Sequence, residues 1–489
     1  MIGVIAVVLL GVVAGAWLAE RQAPSRDELL TLAQTEDTST ATLRATYARA
    51  SPPPAPPAYY GVAWLLGRSV DDPVPVLRAV SIAGWATGGL ALGWVVLRRG
   101  GGPLAAASAA ALPSATGLFD QGMVARPYGL AFGAGAVAIA AWTSTLRSRA
   151  WGPVALLGVS IVASVAFHYW MVTIASCLFV AEVRARSNEP ARSRWPLVAV
   201  TAAPLPIVLA AVSVHRAIAV EQAQVHPVPL WMVPSFYGSI LRPLVVPVAV
   251  AGVLALVLVG ATDALGIRSA ISRTSLGRFL TDPYPLLVAL LVGTVPLQVV
   301  LGATILGNAY LHRYAIGGVA GLALLAGVVV GRLDHRSRPV AAVVLGAILL
   351  AVPVAAIDAT DRAPAKTQVQ AVAADAVDAG ADIVIVPEPY LYGALRWTSD
   401  LEDRRDLRLG GPSTITGYRS EDDLYDAPSP GAVPRSVVLV ADRSDLLAFE
   451  RAGRATDVVV LDRLPLDGDL SSRRRTLVVA RATVEVDPA

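Results

Sequence analysis

An acidic pair that follows the first apolar segment is the strongest candidate for a catalytic base. Asp27 and Glu28 lie shortly after an apolar run over residues 2–18, in the sequence Ser25-Arg26-Asp27-Glu28. A carboxylate beside a low-dielectric membrane face becomes more basic, which suits it to remove a proton from a hydroxyl group. Ser25 and Glu28 also have the spacing of a capping box, which indicates the start of a helix. The two interpretations are compatible, because the capped helix would present Asp27.

Two arginines stand at the starts of later apolar segments and are candidates for binding a phosphate. Arg126 lies in the sequence Ala-Arg-Pro-Tyr, and Arg313 precedes an apolar run that begins at residue 314. A cation at a helix start is opposed by the helix dipole, so each arginine requires a partner, such as Asp120 for Arg126, or an anionic ligand. Two forked guanidinium groups could bind one phosphate. The structural alternative is that each side chain snorkels to lipid headgroups.

Aromatic and imidazole side chains stand near these charges. Tyr59 and Tyr60 follow a proline-rich stretch, and His168 and Tyr169 lie at a turn between two apolar runs. Tyrosines of this kind are typical of the membrane interface, and a lone histidine is more often structural than catalytic. The histidines do not have metal-ligand spacing, and Cys177, the single cysteine, lies inside an apolar run. The residues therefore predict no metal site.

The composition requires a membrane scaffold around these residues. Of 489 residues, 55% are hydrophobic and 16% are charged, against about 25% charged in a typical soluble domain. Such a chain is not purely soluble, disordered or fibrous. A bilayer core of about 30 Å needs about 20 apolar residues per helix. We predict eleven candidate spans: 2–18, 76–97, 103–119, 124–146, 151–168, 169–183, 196–214, 243–264, 284–306, 314–331 and 339–357.

The arginines predict the orientation of this scaffold. One alternate set of inter-helix segments contains 14 arginines and five acidic residues, whereas the other contains ten of each. By the positive-inside rule the arginine-rich set faces the cytoplasm. The amino terminus is then cytoplasmic, and the chain after residue 358 lies outside a plasma membrane. Residues 2–18 are predicted as a retained helix rather than a cleaved signal peptide, because no basic residue precedes the apolar run.

The last part of the chain differs in charge and pattern. Residues 1–358 contain 24 arginines and 15 acidic residues, a net charge of +9, whereas residues 359–489 contain 16 basic and 22 acidic residues, a net charge of −6. A helix is predicted over 365–379. Short β-branched runs predict strands that would form a small parallel α/β sheet; they lie at 382–387, 436–441, 457–461 and 476–480. We therefore predict a transmembrane domain over 1–358, with 20–75 as its first external loop, and a soluble extracytoplasmic α/β domain over 359–489.

Taken in order, these features resemble those of one family. The acidic pair is followed by Pro-Pro-x-Tyr-Tyr, then by Arg78, Ala-Arg-Pro-Tyr, His-Tyr, and Arg-Tyr before a late helix. This order is similar to that of the dolichyl- and polyprenyl-phosphate-sugar-dependent glycosyltransferases of the C superfamily. The most similar group is the family 39-like enzymes, which include protein O-mannosyltransferases and bacterial lipid A aminoarabinose transferases. The resemblance covers residues 5–335, and the acidic pair and Ala-Arg-Pro-Tyr are its specific elements.

The resemblance implies eleven to thirteen membrane helices and an active site at the external face. It implies a polyprenyl-phosphate-linked sugar donor, with Asp27 as catalytic base, Glu28 as its support, and Arg126 and Arg313 at the donor phosphate. The substrate-binding residues that it implies are Tyr59, Tyr60, Arg78, Tyr128, His168 and Tyr169.

Two positions depart from the family pattern. Members often have histidine before Pro-Pro and glutamate before Ala-Arg, where this chain has Ala55 and Val124. Those groups assist substrate or metal binding in some relatives, so a divalent metal is doubtful and no cofactor is predicted. A divergent specificity or a lost activity stays open.

The predicted function is the inverting transfer of a sugar to a hydroxyl group of an extracytoplasmic glycan, lipid or protein. The bilayer is a further partner, and no nucleic-acid partner is expected. A lipid-linked substrate transporter or flippase is an alternative, but it would carry inverted repeats and charges near mid-membrane. A non-catalytic envelope assembly protein with the same fold is a second alternative.

Overall fold

The protein is described here by a computed structural model. The structure describes residues 1–25, 28–29, 31–32, 57–70, 72–209, 230–264, 283–306, 312–360, 365–378, 383–386, 394–395, 406–409, 433–442, 455–466 and 475–486. The described chain forms two compact units. One contains Met1–Trp17, Ser51–Gly61 and Arg78–Asp358, and the other contains Leu18–Ala50, Val62–Leu77 and Ala359–Ala489. The division into a transmembrane domain over 1–358 and an extracytoplasmic domain over 359–489 stays a prediction.

The described residues up to 378 are mostly helical. The helices are α1 (Ile2–Arg21), α2 (Pro57–Gly67), α3 (Pro73–Arg98), α4 (Gly102–Ala111), α5 (Tyr128–Thr145), α6 (Trp151–Phe167), α7 (Val172–Asn188), α8 (Trp195–Thr201), α9 (Val233–Ala264), α10 (Pro283–Gly293), α11 (Val295–Leu306), α12 (Gly317–Arg336), α13 (Arg338–Thr360) and α14 (Lys366–Asp378). Short 3-10 turns include Leu112–Ala115, Tyr169–Met171 and His312–Ala315.

Several of these helices can cross a bilayer. Within the described residues, six are long and apolar enough: Ile2–Arg21, Pro73–Arg98, Val233–Ala255, Leu286–Ile305, Gly317–Arg336 and Arg338–Thr360. Two shorter apolar helices are Trp151–Phe167 and Trp195–Leu209. The prediction of a multi-pass helical membrane protein is therefore confirmed. Each of the eleven predicted segments overlaps a helix, but eleven crossings stay a prediction.

Prolines account for two differences from the predicted spans. The span predicted at 103–119 is an α-helix only as far as Ala111, and a 3-10 turn over Leu112–Ala115 follows it. The span predicted at 284–306 is interrupted at Thr294, between α10 and α11. Pro113 and Pro296 lie at these two breaks. Proline has no backbone N–H and its ring crowds the preceding turn, so each of these two prolines removes an α-helical hydrogen bond and favours a break there.

Glycines allow α3 and α5 to approach each other closely. A Cβ atom built on Gly129 would lie 2.2 Å from the carbonyl oxygen of Ser81, and one on Gly133 would lie 2.3 Å from the carbonyl oxygen of Gly84. Gly129 and Gly133 have the small-xxx-small spacing that brings membrane helices into backbone contact. This contact fixes the start of α5 against α3.

A substitution at this contact should prevent normal folding. Gly129→Val would force the two backbones apart, because the new side chain meets the Ser81 carbonyl, and overpacking of this kind costs about 1–3 kcal/mol or more. We expect little monodisperse protein after detergent extraction, measured by size-exclusion chromatography. Gly346→Val in α13 is the matched control, because a Cβ there meets nothing within 4 Å. Normal yield of Gly129→Val would contradict the close helix contact.

The second unit contains α14 and a five-stranded sheet. The helix predicted at 365–379 is α14, and it buries Val369, Val372, Ala373 and Ala376, the spacing of one helix face. The strands are β1 (Ile383–Val386), β2 (Asp406–Leu409), β3 (Val433–Asp442), β4 (Ala455–Leu466) and β5 (Arg475–Val486), in the order β2-β1-β3-β5-β4.

The sheet is mixed, so the prediction of a small parallel sheet was wrong for β4 and β5. β1 runs parallel to β2 and β3, whereas β5 runs antiparallel to β3 and β4. The eight residues 467–474 join β4 to β5. Antiparallel neighbours need only a short connection, whereas a parallel crossover needs a dozen residues or more. β2 was not predicted, because this four-residue strand alternates charged and apolar side chains.

Candidate functional site

The Ala-Arg-Pro-Tyr sequence lies where α5 begins, against the first part of α3. Arg126 is buried, with 6% of its surface exposed. Its carbonyl oxygen accepts a buried hydrogen bond of 2.9 Å from the Ser81 hydroxyl. Its Nη1 atom is 3.5 Å from the hydroxyl oxygen of Tyr60, at the outer limit of a hydrogen bond. The α3 contact therefore holds the backbone of Arg126, and α2 supplies a polar neighbour to its guanidinium group.

The neighbouring candidates on α2 and α3 are also buried. Tyr59 and Tyr60 are 0% and 2% exposed, and their rings meet edge to face with centroids 6.2 Å apart. Arg78 is 4% exposed and stands one turn before Ser81 on α3. Two arginines buried in an apolar unit are costly, so residues of this kind usually serve a site.

His168 brings three separate sequence motifs together. Its ring centroid lies 5.2 Å from that of Tyr128 and 5.5 Å from that of Tyr314. Tyr314 also stacks on Trp170, with centroids 6.4 Å apart and the ring planes inclined by 21°. We call Tyr128, His168, Trp170 and Tyr314 the aromatic cluster. The segments that contain Arg126 and Arg313 therefore meet at His168, because each arginine stands one or two residues before a tyrosine of the cluster.

Local backbone structure presents these side chains. His168 is extended (φ −153°, ψ 113°) between the end of α6 and the 3-10 turn Tyr169–Met171. Arg313 and Tyr314 lie in the turn His312–Ala315, and both are half-buried. The half-buried Tyr169 follows His168 directly. Sequence analysis did not select Trp170 and Tyr314 as site residues, although each is next to one that it did select.

The acidic pair is described only in part. The Ser25 backbone N–H donates a 2.7 Å hydrogen bond to Oε2 of Glu28, and the Leu29 N–H donates to the Ser25 carbonyl at 3.0 Å. Glu28 is fully buried. This is the glutamate half of the predicted capping box, so the structural interpretation of Glu28 is confirmed. Asp27 lies outside the described residues, as do Ala55 and the side chain of His312.

The described residues contain no group of three or more histidine, cysteine, aspartate or glutamate side chains that could hold a metal ion. The acidic residue nearest to Arg126 in sequence, Asp120, is 5% exposed. Its Oδ2 atom accepts a 2.8 Å hydrogen bond from the Gln121 side chain. What this part of the chain offers to a ligand is thus guanidinium, imidazole and phenol groups.

The fold matches solved structures over nearly its whole length. ArnT from Cupriavidus metallidurans bound to undecaprenyl phosphate is 12% identical, with a TM-score of 0.57, and the match covers 98% of this chain and 97% of that chain. The same protein in its apo state is also 12% identical, with a TM-score of 0.54 and 97% of each chain covered. No protein-family model and no curated protein sequence matches the chain.

At this level of identity the likeness concerns the fold, and it agrees with the resemblance that the motifs predicted. The chain therefore has a fold similar to that of ArnT from Cupriavidus metallidurans.

Proposed function

We propose that the chain is a membrane glycosyltransferase that moves a sugar from a polyprenyl-phosphate donor to an acceptor hydroxyl outside the cytoplasm. The observation that carries this proposal is the meeting of the Arg126 and Arg313 segments at His168. The match to ArnT bound to undecaprenyl phosphate supports the class of donor.

The proposed reaction needs little beyond these groups. The acceptor oxygen attacks the anomeric carbon, the bond from that carbon to the phosphate oxygen breaks, and polyprenyl phosphate leaves. Attack in line with the departing phosphate inverts the anomeric centre. The acceptor proton passes to the carboxylate of Asp27, the proposed general base, while Glu28 holds the helix that presents it. Positioned cations stabilise the charge that grows on the phosphate.

Arg126 and Arg313 are the proposed ligands of that phosphate. A guanidinium group offers paired N–H donors that match two phosphate oxygens. Burial of Arg126 strengthens such a contact, because water screens it less. We assign Tyr59, Tyr60, Arg78, Tyr128, His168 and Tyr169 to the walls that bind the sugar and the lipid phosphate.

The transfer assay tests the function as a whole. Purified full-length protein is mixed with a panel of radiolabelled polyprenyl-phosphate sugars and with envelope acceptors, and both labelled product and released polyprenyl phosphate are measured. We expect transfer from at least one donor. A parent protein that is inactive with the whole panel would favour the non-catalytic assembly protein.

We further propose that the plasma membrane holds this chain with its amino terminus in the cytoplasm. At the ends of α3 and α5 that are remote from His168, the Arg147 guanidinium donates a hydrogen bond to the Arg98 carbonyl. Two arginines are therefore neighbours at that end. This grouping supports a cytoplasmic face there. The Gln22 side chain donates a hydrogen bond of 2.6 Å to the Ala359 carbonyl. This bond supports the placement of the last residues of α1 and of α13 on the same side of the membrane.

An alkaline phosphatase fused after Pro364 should therefore be active, because that enzyme folds only outside the cytoplasm. A fluorescent protein that matures only in the cytoplasm should be dark at the same position. A fusion after Arg149, in the arginine-rich loop, should give the opposite pair of results. Reversed signals at both positions would overturn the orientation and the external active site.

A further inference from the structure

A basic cavity lies at the end of α5 that is remote from the aromatic cluster. It measures about 350 Å³, and it lies between the loop from α5 to α6 and the loop from α7 to α8. Its lining includes Arg147, Arg149 and Arg192, with Glu189 as an acidic member. The proposed transfer reaction uses none of these residues.

Arg192, which lines one wall of the cavity, is held in place by a buried ion pair. Arg192 and Glu182 form a forked pair, with Nε–Oε1 and Nη2–Oε2 both 2.9 Å, and both residues are buried. Arg192 also donates to the carbonyl and the hydroxyl of Thr145, and Trp142 donates to Glu182 at 3.0 Å. The Arg192 charge is thus balanced by Glu182. A buried pair with its remaining donors satisfied holds the two loops in one arrangement.

The charge available to a ligand therefore comes from the other wall. Arg147 and Arg149 are exposed, and they stand on either side of the half-buried Ser148. Their two positive charges exceed the single negative charge of Glu189. An anion of one charge, with oxygens for paired N–H donors, matches this wall.

Two tryptophans indicate the depth of the cavity in the bilayer. Trp151 begins α6 and Trp195 begins α8. Their ring centroids lie 4.8 Å apart, and their ring planes are inclined by 49°. They are 60% and 51% exposed. Tryptophan collects at the level of the lipid headgroups. Ser193 and Pro196, which lie two residues before and one residue after Trp195, line the cavity, so its mouth lies at that level.

The helices beyond the tryptophans present apolar surface to lipid. Leu156 and Val159 on α6 are 49% and 67% exposed, and Val198 on α8 is 42% exposed. A phosphate held by arginines at headgroup level, next to exposed apolar helix faces, is the arrangement that suits a phospholipid. A free phosphate would make no use of those apolar faces.

We infer that this cavity binds the phosphate headgroup of an anionic membrane lipid, with Arg147 and Arg149 as the phosphate ligands and the Glu182–Arg192 pair as the fixed wall. The lipid belongs to the leaflet at this end of α5, on whichever side of the membrane that end lies. The inference is therefore independent of the proposed sugar transfer.

The test uses delipidated full-length protein in a maltoside detergent. Native mass spectrometry counts bound lipid during titration with phosphatidylglycerol or, as the neutral comparison, phosphatidylcholine. We expect the parent to prefer phosphatidylglycerol. The double variant Arg147→Ala/Arg149→Ala should bind it about 10-fold more weakly, because it loses charge-assisted contacts to phosphate. Arg147→Lys/Arg149→Lys should retain part of the preference, since lysine keeps the charge but not the fork.

The matched control is Arg336→Ala/Arg338→Ala, which removes two exposed arginines, the last residue of α12 and the first residue of α13. It should leave the preference unchanged. An equal loss in this control would mean that general surface charge attracts the lipid, and would overturn the site. If the variants that change Arg147 fold poorly, the single variant Arg149→Ala tests the site. It should weaken phosphatidylglycerol binding, and binding as strong as that of the parent would overturn the inference.

Three further results would also overturn the inference of an anionic-lipid site. Equal binding of phosphatidylcholine would remove the role of charge. Displacement of the lipid by an equal concentration of glycerol 1-phosphate would indicate a soluble phosphate ester as the ligand. Stronger stabilisation by polyglutamate than by phosphatidylglycerol, measured by the midpoint of thermal unfolding, would indicate an acidic protein surface instead.

Discussion

Replacing Asp27 by asparagine should lower the rate of sugar transfer by about 10²–10⁴-fold, the usual contribution of a general base. Asparagine keeps the shape of the side chain and can still accept a hydrogen bond, but it cannot take the acceptor proton. The measurement is kcat with purified protein and the donor that the panel identifies. Thermal unfolding of parent and variant should coincide, because the change removes chemistry and not packing.

Glu28→Gln is the matched control for this prediction. The Glu28 carboxylate accepts the Ser25 N–H at 2.7 Å, and the amide oxygen of glutamine can accept the same bond. We therefore expect transfer close to that of the parent. Full activity of Asp27→Asn would exclude Asp27 as the base. A loss in Glu28→Gln as large as that in Asp27→Asn would assign the base to the pair rather than to Asp27.

Replacing Arg126 or Arg313 by alanine should weaken use of the lipid-linked donor about 10- to 150-fold. A hydrogen bond to a charged group contributes about 1.5–3 kcal/mol, and this range corresponds to that change in kcat/KM. The loss should appear in the kcat/KM measured by varying the donor concentration. It should be smaller in the kcat/KM measured by varying the acceptor concentration. Arg126→Lys should recover part of it, because lysine restores the charge without the paired donors.

Arg242→Ala is the control for loss of an arginine. Arg242 forms an ion pair of 3.1 Å with Asp358, and its side chain is 74% exposed. An exposed pair of this kind contributes about 0–1 kcal/mol, so transfer and folding should change little. If Arg126→Ala and Arg313→Ala both use the donor as well as the parent, their side chains serve lipid headgroups and not the donor phosphate.

The sequence alone determined where the long apolar helices lie. An apolar run in lipid must satisfy its backbone groups internally, and a helix does this within one segment. Hydropathy therefore predicted helices such as α3, α12 and α13, and the spacing of Val369, Val372, Ala373 and Ala376 predicted α14. A hydropathy window does not register the backbone N–H that a proline lacks. It therefore did not predict breaks such as the one near Pro296.

Motif order selected most of the candidate site residues before any contact between them was known. It could not predict that His168 lies between Tyr128 and Tyr314, which are 40 and 146 residues away in sequence. It also did not select Trp170, whose stacking on Tyr314 has no sequence signature. The role of Asp27 stays a prediction from the sequence, because that residue lies outside the described residues.

Only the tertiary structure decided which elements are neighbours. Hydropathy is the same whichever helix lies alongside, and β-branched runs look alike in parallel and antiparallel strands. Neighbours are instead selected by short-range shape, as where Gly129 meets the Ser81 carbonyl, and by the length of connections, as between β4 and β5. The Glu182–Arg192 pair depends on the same contacts, since a buried charge is stable only where the fold brings its partner to it.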